Sequence, residues 1–374
     1  MQCSYVMIAM AAGCLAPQKR QDPPAPPEFQ ARFLRMCDLA TAELNKELSP
    51  FVARDDASPA THHMPFFEDA HAVRALAAAY DLTGREAYLS ACKHWSDRII
   101  AYQRRMIPAG AYYMNHSRAP GQDTGQWNLA DSGSIGLGVL ATAVRSAEPA
   151  DKQRYLDSVL AFARLVEENY LRPDGGITNG LWPQFDGPWW CSTANFGTLA
   201  FCLYEETRDD RWLRIATRAL DWMTRRDFRE VSPITFQQRP SGVIFYCFEL
   251  YAVGLKHLRP GTPAHDRALR QIDLAVAWML ANQKTGGAPE VPDYTEKNVD
   301  MAGLPYLMYA FARRLPRHRG LFAPADRELR YIGDLLLAGG EPNVSRLMTW
   351  EVLTWGMLSY AERLCPGSLS RGSR

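Results

Sequence analysis

The sequence predicts an all-α fold in which about six helical hairpins close into a ring. Apolar residues recur at three- and four-residue spacing through most of the chain between Glu28 and Cys365, whereas strand-like alternation is scarce. A segment also echoes itself: Tyr80-Asp-Leu-Thr-Gly-Arg-Glu-Ala-Tyr88-Leu89 is answered by Tyr204-Glu-Glu-Thr-Arg-Asp-Asp-Arg-Trp212-Leu213, and Tyr155-Leu156 opens a further helix in the same way. The steps from Tyr88 to Tyr155 and from Tyr155 to Trp212 are 67 and 57 residues, each enough for two helices and their loops. One such hairpin has too little core to stand alone, so closing the set into a ring is the natural way to bury its apolar faces.

Taken in order, Met1 to Leu15 is short and apolar, and Ala11-Ala12-Gly13-Cys14 has the form of a lipoprotein cleavage site, although no Lys or Arg precedes the apolar run. Residues 16–27, rich in Pro and Gln, read as an extended tether, so 1–27 is the candidate export and anchoring segment. The expected location is periplasmic or secreted, lipid-anchored at Cys14, and otherwise cytoplasmic. Helical periodicity then runs through Ala70 to Tyr80, Tyr88 to Tyr102, Tyr155 to Tyr170, Trp212 to Met223, Val243 to Leu255, Leu269 to Leu280 and Met301 to Leu315. Residues 28–365 are expected to form one toroidal domain, and 366–374 a disordered tail.

Composition narrows the partners. With 42 Lys+Arg against 41 Asp+Glu, the chain has no basic field with which to hold a nucleic-acid backbone. No apolar block is long enough for a span, so the chain reads as a soluble monomer that meets a membrane only through Cys14. The 10 Trp and 16 Tyr propose carbohydrate, because a flat apolar face with a polar edge matches a pyranose; packed cores use the same residues. Cys37, Cys92, Cys191, Cys202, Cys247 and Cys365 include no CxxC pair and read as small buried hydrophobes. Neither a cofactor nor a metal is expected.

Four segments are richer than a connection requires: Ser58 to Asp69 with His62, His63 and Glu68; Tyr112 to Ser117, continuing through Gln126-Trp127-Asn128 to Asp131; Trp182 to Trp190 with Asp186 and Trp189, and Asn195 behind; and Gln237-Gln238-Arg239 leading into a helix that bears Tyr246. Adjacent His62 and His63 point in different directions on any regular element and have no third ligand at zinc spacing. Glu68, Asp69, Asp131 and Asp186 are candidates for a glycosidase carboxylate pair, with helix capping as the alternative for each. Trp189 and Trp190 could stack a sugar or wedge the core. Arg239 and Tyr246, seven apart on one helix, share a face about 10 Å apart along the axis.

The run "TGREAYLSACKHWSDRI" and its echo "TRDDRWLRIATRALDWMTRR" resemble the hairpin turns of (α/α)6-7 toroid carbohydrate-active enzymes, a group of polysaccharide lyases, unsaturated-uronide hydrolases, glycosidases and sugar epimerases. Asn115-His116-Ser117 with Arg239-x6-Tyr246 further resembles the alginate-lyase type, although 130 residues separate His116 from Tyr246 and Arg118-Ala119-Pro120 replaces the expected aromatics. Asn195, 51 residues before Tyr246, has the more family-like spacing but no following His. The resemblance implies a lyase acting on an anionic uronic-acid polysaccharide, glucuronan favoured and an alginate-like polymer next. Asn115, His116 and Arg239 would neutralise the carboxylate, Tyr246 would act as acid or base, and His63 is a further base candidate. An Arg beside Tyr246 is expected to ease ionisation of its phenol.

Expected substrate contacts are Asn195, Trp189, Trp190, Trp127, Arg118, Tyr113 and Tyr294, with Asn298 and Arg346 as further polar groups. The alternatives are a toroid glycoside hydrolase working on unsaturated uronides or other glycosides through Asp and Glu, an acylglucosamine-epimerase-like enzyme with two opposing histidines, and a non-catalytic sugar-binding lipoprotein. As an enzyme, the first expectation is a carbon–oxygen lyase.

Overall fold

The computed structural model describes residues 22–46, 66–112, 127–180, 187, 189–231, 239–283, 298–339 and 346–370. Among the described residues, twelve main helices alternate between an outer and an inner layer. The outer set is α1 (Pro27–Leu44), α3 (Glu86–Gln103), α5 (Pro149–Asn169), α7 (Asp210–Thr224), α9 (Pro263–Ala281) and α11 (Phe322–Leu337). The inner set is α2 (Phe66–Thr83), α4 (Leu129–Arg145), α6 (Trp190–Thr207), α8 (Pro240–Gly254), α10 (Leu304–Arg314, entered through a 3-10 turn at Val299–Gly303) and α12 (Arg346–Leu364). Each inner helix packs on the next, α2 on α4 and so on to α12, which returns to α2, so the inner layer closes. Among the described residues there is no strand beyond one isolated bridge between Leu171 and Ile177. None of the described helices is long and apolar enough to cross a membrane.

The two layers differ in sequence because they differ in what they touch. Outer helices are amphipathic: α7 buries Trp212, Ile215, Ala216, Ala219, Leu220, Trp222 and Met223 at helical spacing and leaves its charged residues outside. Inner helices are walled on every side, so α4 and α6 are buried almost from end to end. Small residues allow the inner helices to approach closely. A Cβ on Gly138 of α4 would meet the Ala70 Cβ of α2 and the Trp95 ring at 3.0 Å.

Local chemistry starts the helices. Proline stands in the first turn of α1, α5, α8 and α9, where its missing N–H is no loss. Asn128 caps α4 by accepting from the Asp131 N–H at 3.0 Å, and Asp209 caps α7 by accepting from the Arg211 N–H at 2.9 Å. The connections into α2, α4 and α6 run 21, 25 and 20 residues, whereas those leaving the same helices take two, three and two. One end of the ring is therefore closed by tight turns, and the other gathers the long connections and the N-termini of all six inner helices.

Both ends of the chain differ from expectation near the body. Arg363 donates to the carbonyls of Pro23 and Pro24 at 3.1 and 3.0 Å, and Arg313 pairs with Asp22 at 2.5 Å, so the last part of the tether docks. The expected tail is docked as far as Ser370, since Leu369 is buried and Ser368 accepts from Arg145 at 2.8 Å while donating to Asp81 at 2.6 Å. The candidate leader and Cys14 lie outside the described residues.

Candidate functional site

The long-connection end carries acid near the starts of four inner helices: Glu68 and Asp69 in the first turn of α2, Asp131 in that of α4, Asp300 in the turn entering α10, and Glu351 in the second turn of α12. Arg239, the N-cap of α8, ties two of them together. Its Nε and Nη2 donate to the two oxygens of Asp300 at 2.9 and 2.7 Å, and Nη2 also reaches Glu351 at 3.0 Å. This fork on a planar carboxylate is the geometry guanidinium favours. Gly242, one turn into α8, leaves room for Asp300, because a Cβ there would overlap its Oδ2.

Asp69 is a brace within this group, taking the indole N–H of Trp95 at 3.2 Å and of Trp350 at 3.1 Å on its two oxygens. Glu68 and Glu351 hydrogen-bond to each other across the α2–α12 junction. Burial, then the neighbouring Glu351 and Asp131 charges, push Glu68 well above the usual carboxylate range, so Glu68 holds the proton and donates it to Glu351. Burial also raises Asp300 and Glu351, against the opposing pull of Arg239.

Asp131 differs from the other members of this floor in keeping part of its surface open, whereas Glu68, Asp300 and Glu351 are at most 3% exposed. Burial pushes Asp131 up to about 6, held from going higher by the Asn128 amide, which donates to it at 3.2 Å, and by Arg239. A half-open carboxyl that changes charge near neutral pH suits proton transfer.

Tyr246 lies two turns along α8 from Arg239, is half-buried, and is near enough to act on the Arg239 charge. Its hydroxyl departs from expectation: burial, followed by Cys191, Asp300, Asp131 and Glu68, holds it well above the usual phenol range. The charge of Arg239 is spent on Asp300 and Glu351, which removes the reason for expecting an easily ionised phenol.

Other expected contacts prove to be structural. The Asn195 amide donates to the Ala130 carbonyl at 2.8 Å and to Ser134 at 3.3 Å, bracing α6 against α4 beside Asp131. Trp127 is 2% exposed and stands edge-on to Tyr170 at 5.5 Å, and Trp190 is 3% exposed; both fill space where an open sugar platform was expected. Trp189 is half-buried at the start of α6, 6.1 Å from the Trp190 ring. His63, Tyr113, Asn115, His116, Arg118 and Tyr294 lie outside the described residues, as do His62, Trp182, Asp186 and the Arg346 side chain.

Asp300 and Glu351 were missed by the sequence reading. Spacing does not join residues 51 positions apart to each other or to Glu68. The usable signal was positional: an acid within the first two turns of a helix and preceded by an apolar residue, as in Phe67-Glu68, Ala130-Asp131, Val299-Asp300 and Trp350-Glu351. Below this floor, His71 is fully buried among Phe245, Tyr246 and Trp355, and burial followed by Arg74 keeps it neutral.

No family model and no curated protein matches the sequence. Similarity appears in three dimensions. An alpha-1,6-mannanase from Salegentibacter sp. superposes with a TM-score of 0.56 at 14% identity, over 89% of this chain and 99% of its own. An unsaturated glucuronyl hydrolase specific for heparin gives 0.56 at 11% identity, over 89% and 98%. Cellobiose 2-epimerase from Bacillus thermoamylovorans gives 0.56 at 11% identity, over 88% and 100%. The fold is the (α/α) toroid. It is shared by carbohydrate-active enzymes of different chemistry, so the chemistry has to be read from the floor of this toroid.

Proposed function

We propose that the protein is a glycoside hydrolase whose reaction is run by the carboxylates at the open end of the toroid. The observation that carries this reading is Asp131, a partly exposed acid raised to about 6, set beside a Glu68–Glu351 pair that shares one proton. Hydrolysis of a glycosidic bond needs one carboxyl to protonate the departing oxygen and another carboxylate to stabilise the oxocarbenium-like centre or take a proton from water. In this reading Asp131 gives its proton to the leaving oxygen. The Glu68–Glu351 pair carries the second role, and Arg239 with Asp300 fixes the position of Glu351.

Two observations favour hydrolysis over elimination. Neutralising a uronate needs a cation with charge to spare, and Arg239 is committed to two carboxylates. A Tyr base needs a phenol made easier to ionise, and Tyr246 is shifted the other way. The epimerase reading needs two opposing histidines; among the described residues His71 is the histidine nearest the floor, and it is sealed. The toroids similar to this chain include a mannanase and a glucuronyl hydrolase, which supports a carbohydrate substrate.

The test is incubation with oligosaccharides of varied linkage, with products separated and absorbance followed near 232 nm. New saturated reducing ends without absorbance, lost in Asp131→Asn, support the reading. An absorbance rise that survives in Asp131→Asn and is lost in Tyr246→Phe overturns it in favour of elimination.

A further inference from the structure

The charge balance of the floor bears on which sugar can react there. Four acids, Glu68, Asp131, Asp300 and Glu351, meet one described cation, Arg239, whose fork is closed on Asp300 and Glu351. With one proton on Glu68 and Arg239 balancing Asp300, Glu351 remains negative and Asp131 joins it once ionised. Among the described residues, Arg239 is the only cation that acts on each of these acids. The positive ends of α2 and α4 are already met by acids in their own first turns.

The open surface at the same end has a different character. Phe67, Trp189, Trp350 and Tyr246 are each partly exposed. Aromatic faces over a negative floor favour the apolar face of an uncharged pyranose and oppose a carboxylate on it.

Building on the hydrolase reading, we infer that the sugar bound at the reacting position is uncharged, and that a uronate is disfavoured there. A uronate carboxylate about 6 Å from one uncompensated carboxylate, at the effective dielectric of a partly open site, would bind about 10- to 100-fold more weakly than its uncharged counterpart.

The experiment uses uronate tetrasaccharides from glucuronan, alginate and pectate, each beside its own carboxyl-reduced counterpart, which differs only in that group. Affinities are measured on the full chain by ligand-observed NMR titration at pH 5 and pH 7.5, and the same samples are analysed for products. The inference expects at least one pair in which the reduced member binds tenfold or more tightly, a preference larger at pH 7.5, where Asp131 is ionised, and reduced several-fold in Asp131→Asn. A preference below threefold in every pair, tighter binding of a uronate, or no response from any pair overturns it. Hydrolysis of a uronate member overturns this inference and leaves the hydrolase reading standing. Unsaturated products overturn the hydrolase reading itself.

Discussion

Two charged assemblies sit inside the same toroid and are built on opposite rules. At the open end, four acids share one arginine and one proton, and Asp131 still reaches solvent. Deeper in the ring, Arg74 of α2 pairs with Glu249 of α8, with both side chains 1% exposed. Helices α2 and α8 are three positions apart in a ring of six, so this pair spans the barrel. It is matched in charge, and although burial is the largest single influence on Arg74 and opposes its cation, Glu249 together with Tyr306 and Cys202 keeps it charged. The comparison teaches that a balanced, sealed pair organises the ring, whereas an unbalanced cluster with one open member stores the capacity to move protons.

The largest expected effect separates the two directly. Asp131→Asn should lower kcat/KM by about 10²- to 10⁴-fold, the usual worth of a general acid, while the chain stays folded. Glu249→Ala should instead cost about 3–5 kcal/mol of stability by leaving Arg74 buried and unpaired, read from denaturant unfolding. Equal loss of stability in both variants would erase the distinction.

The pH dependence sharpens the same contrast. Asp131 is raised from 3.8 to about 6, so the folded state binds its proton more tightly than the unfolded state does. Its contribution to stability therefore falls as pH rises through that window and stays unfavourable above it. Thermal melts of Asp131→Asn should exceed those of the parent above pH 6, with the gap closing below pH 4. Activity that depends on the protonated Asp131 should decline as pH rises through about 6.

A smaller effect is expected at Gly242, where alanine would displace Asp300 and loosen its hold on Arg239. Gly242→Ala should cost about 1–3 kcal/mol, and turnover should drop while Arg74–Glu249 is untouched. The smallest expected change is in Tyr246→Phe, which keeps the ring among Phe245, Trp355 and His71 and removes a hydroxyl held away from ionisation. Turnover within threefold of the parent fits hydrolysis; a hundredfold loss would move Tyr246 into the chemistry.

Legibility followed contact with solvent only in part. Outer helices such as α3, α5, α7 and α9 announced themselves by periodicity, one face meeting water, and the inner helices α2, α8 and α10 were legible too. The inner helices α4 and α6, which bear Asp131 and Asn195 and are buried almost from end to end, were not. Arg239 and Tyr246 were joined by spacing because they share one helix. Glu351 and Asp300 could not be, since their meeting depends on α8, α10 and α12 closing against one another.

The sequence by itself determined the helical hairpins and put their number at six or seven, because repeated aromatic-Leu starts and turn lengths are local properties. It also determined that Arg239 and Tyr246 point the same way. Which charges face each other was decided only by closure of the ring. That step brought Glu68 to Glu351 across the junction of an early and a late helix, engaged Arg239 with acids far along the chain, and left Asp131 half-open. Desolvation and charge pairing act through space, so the proton-holding chemistry of the site exists only once the toroid is closed.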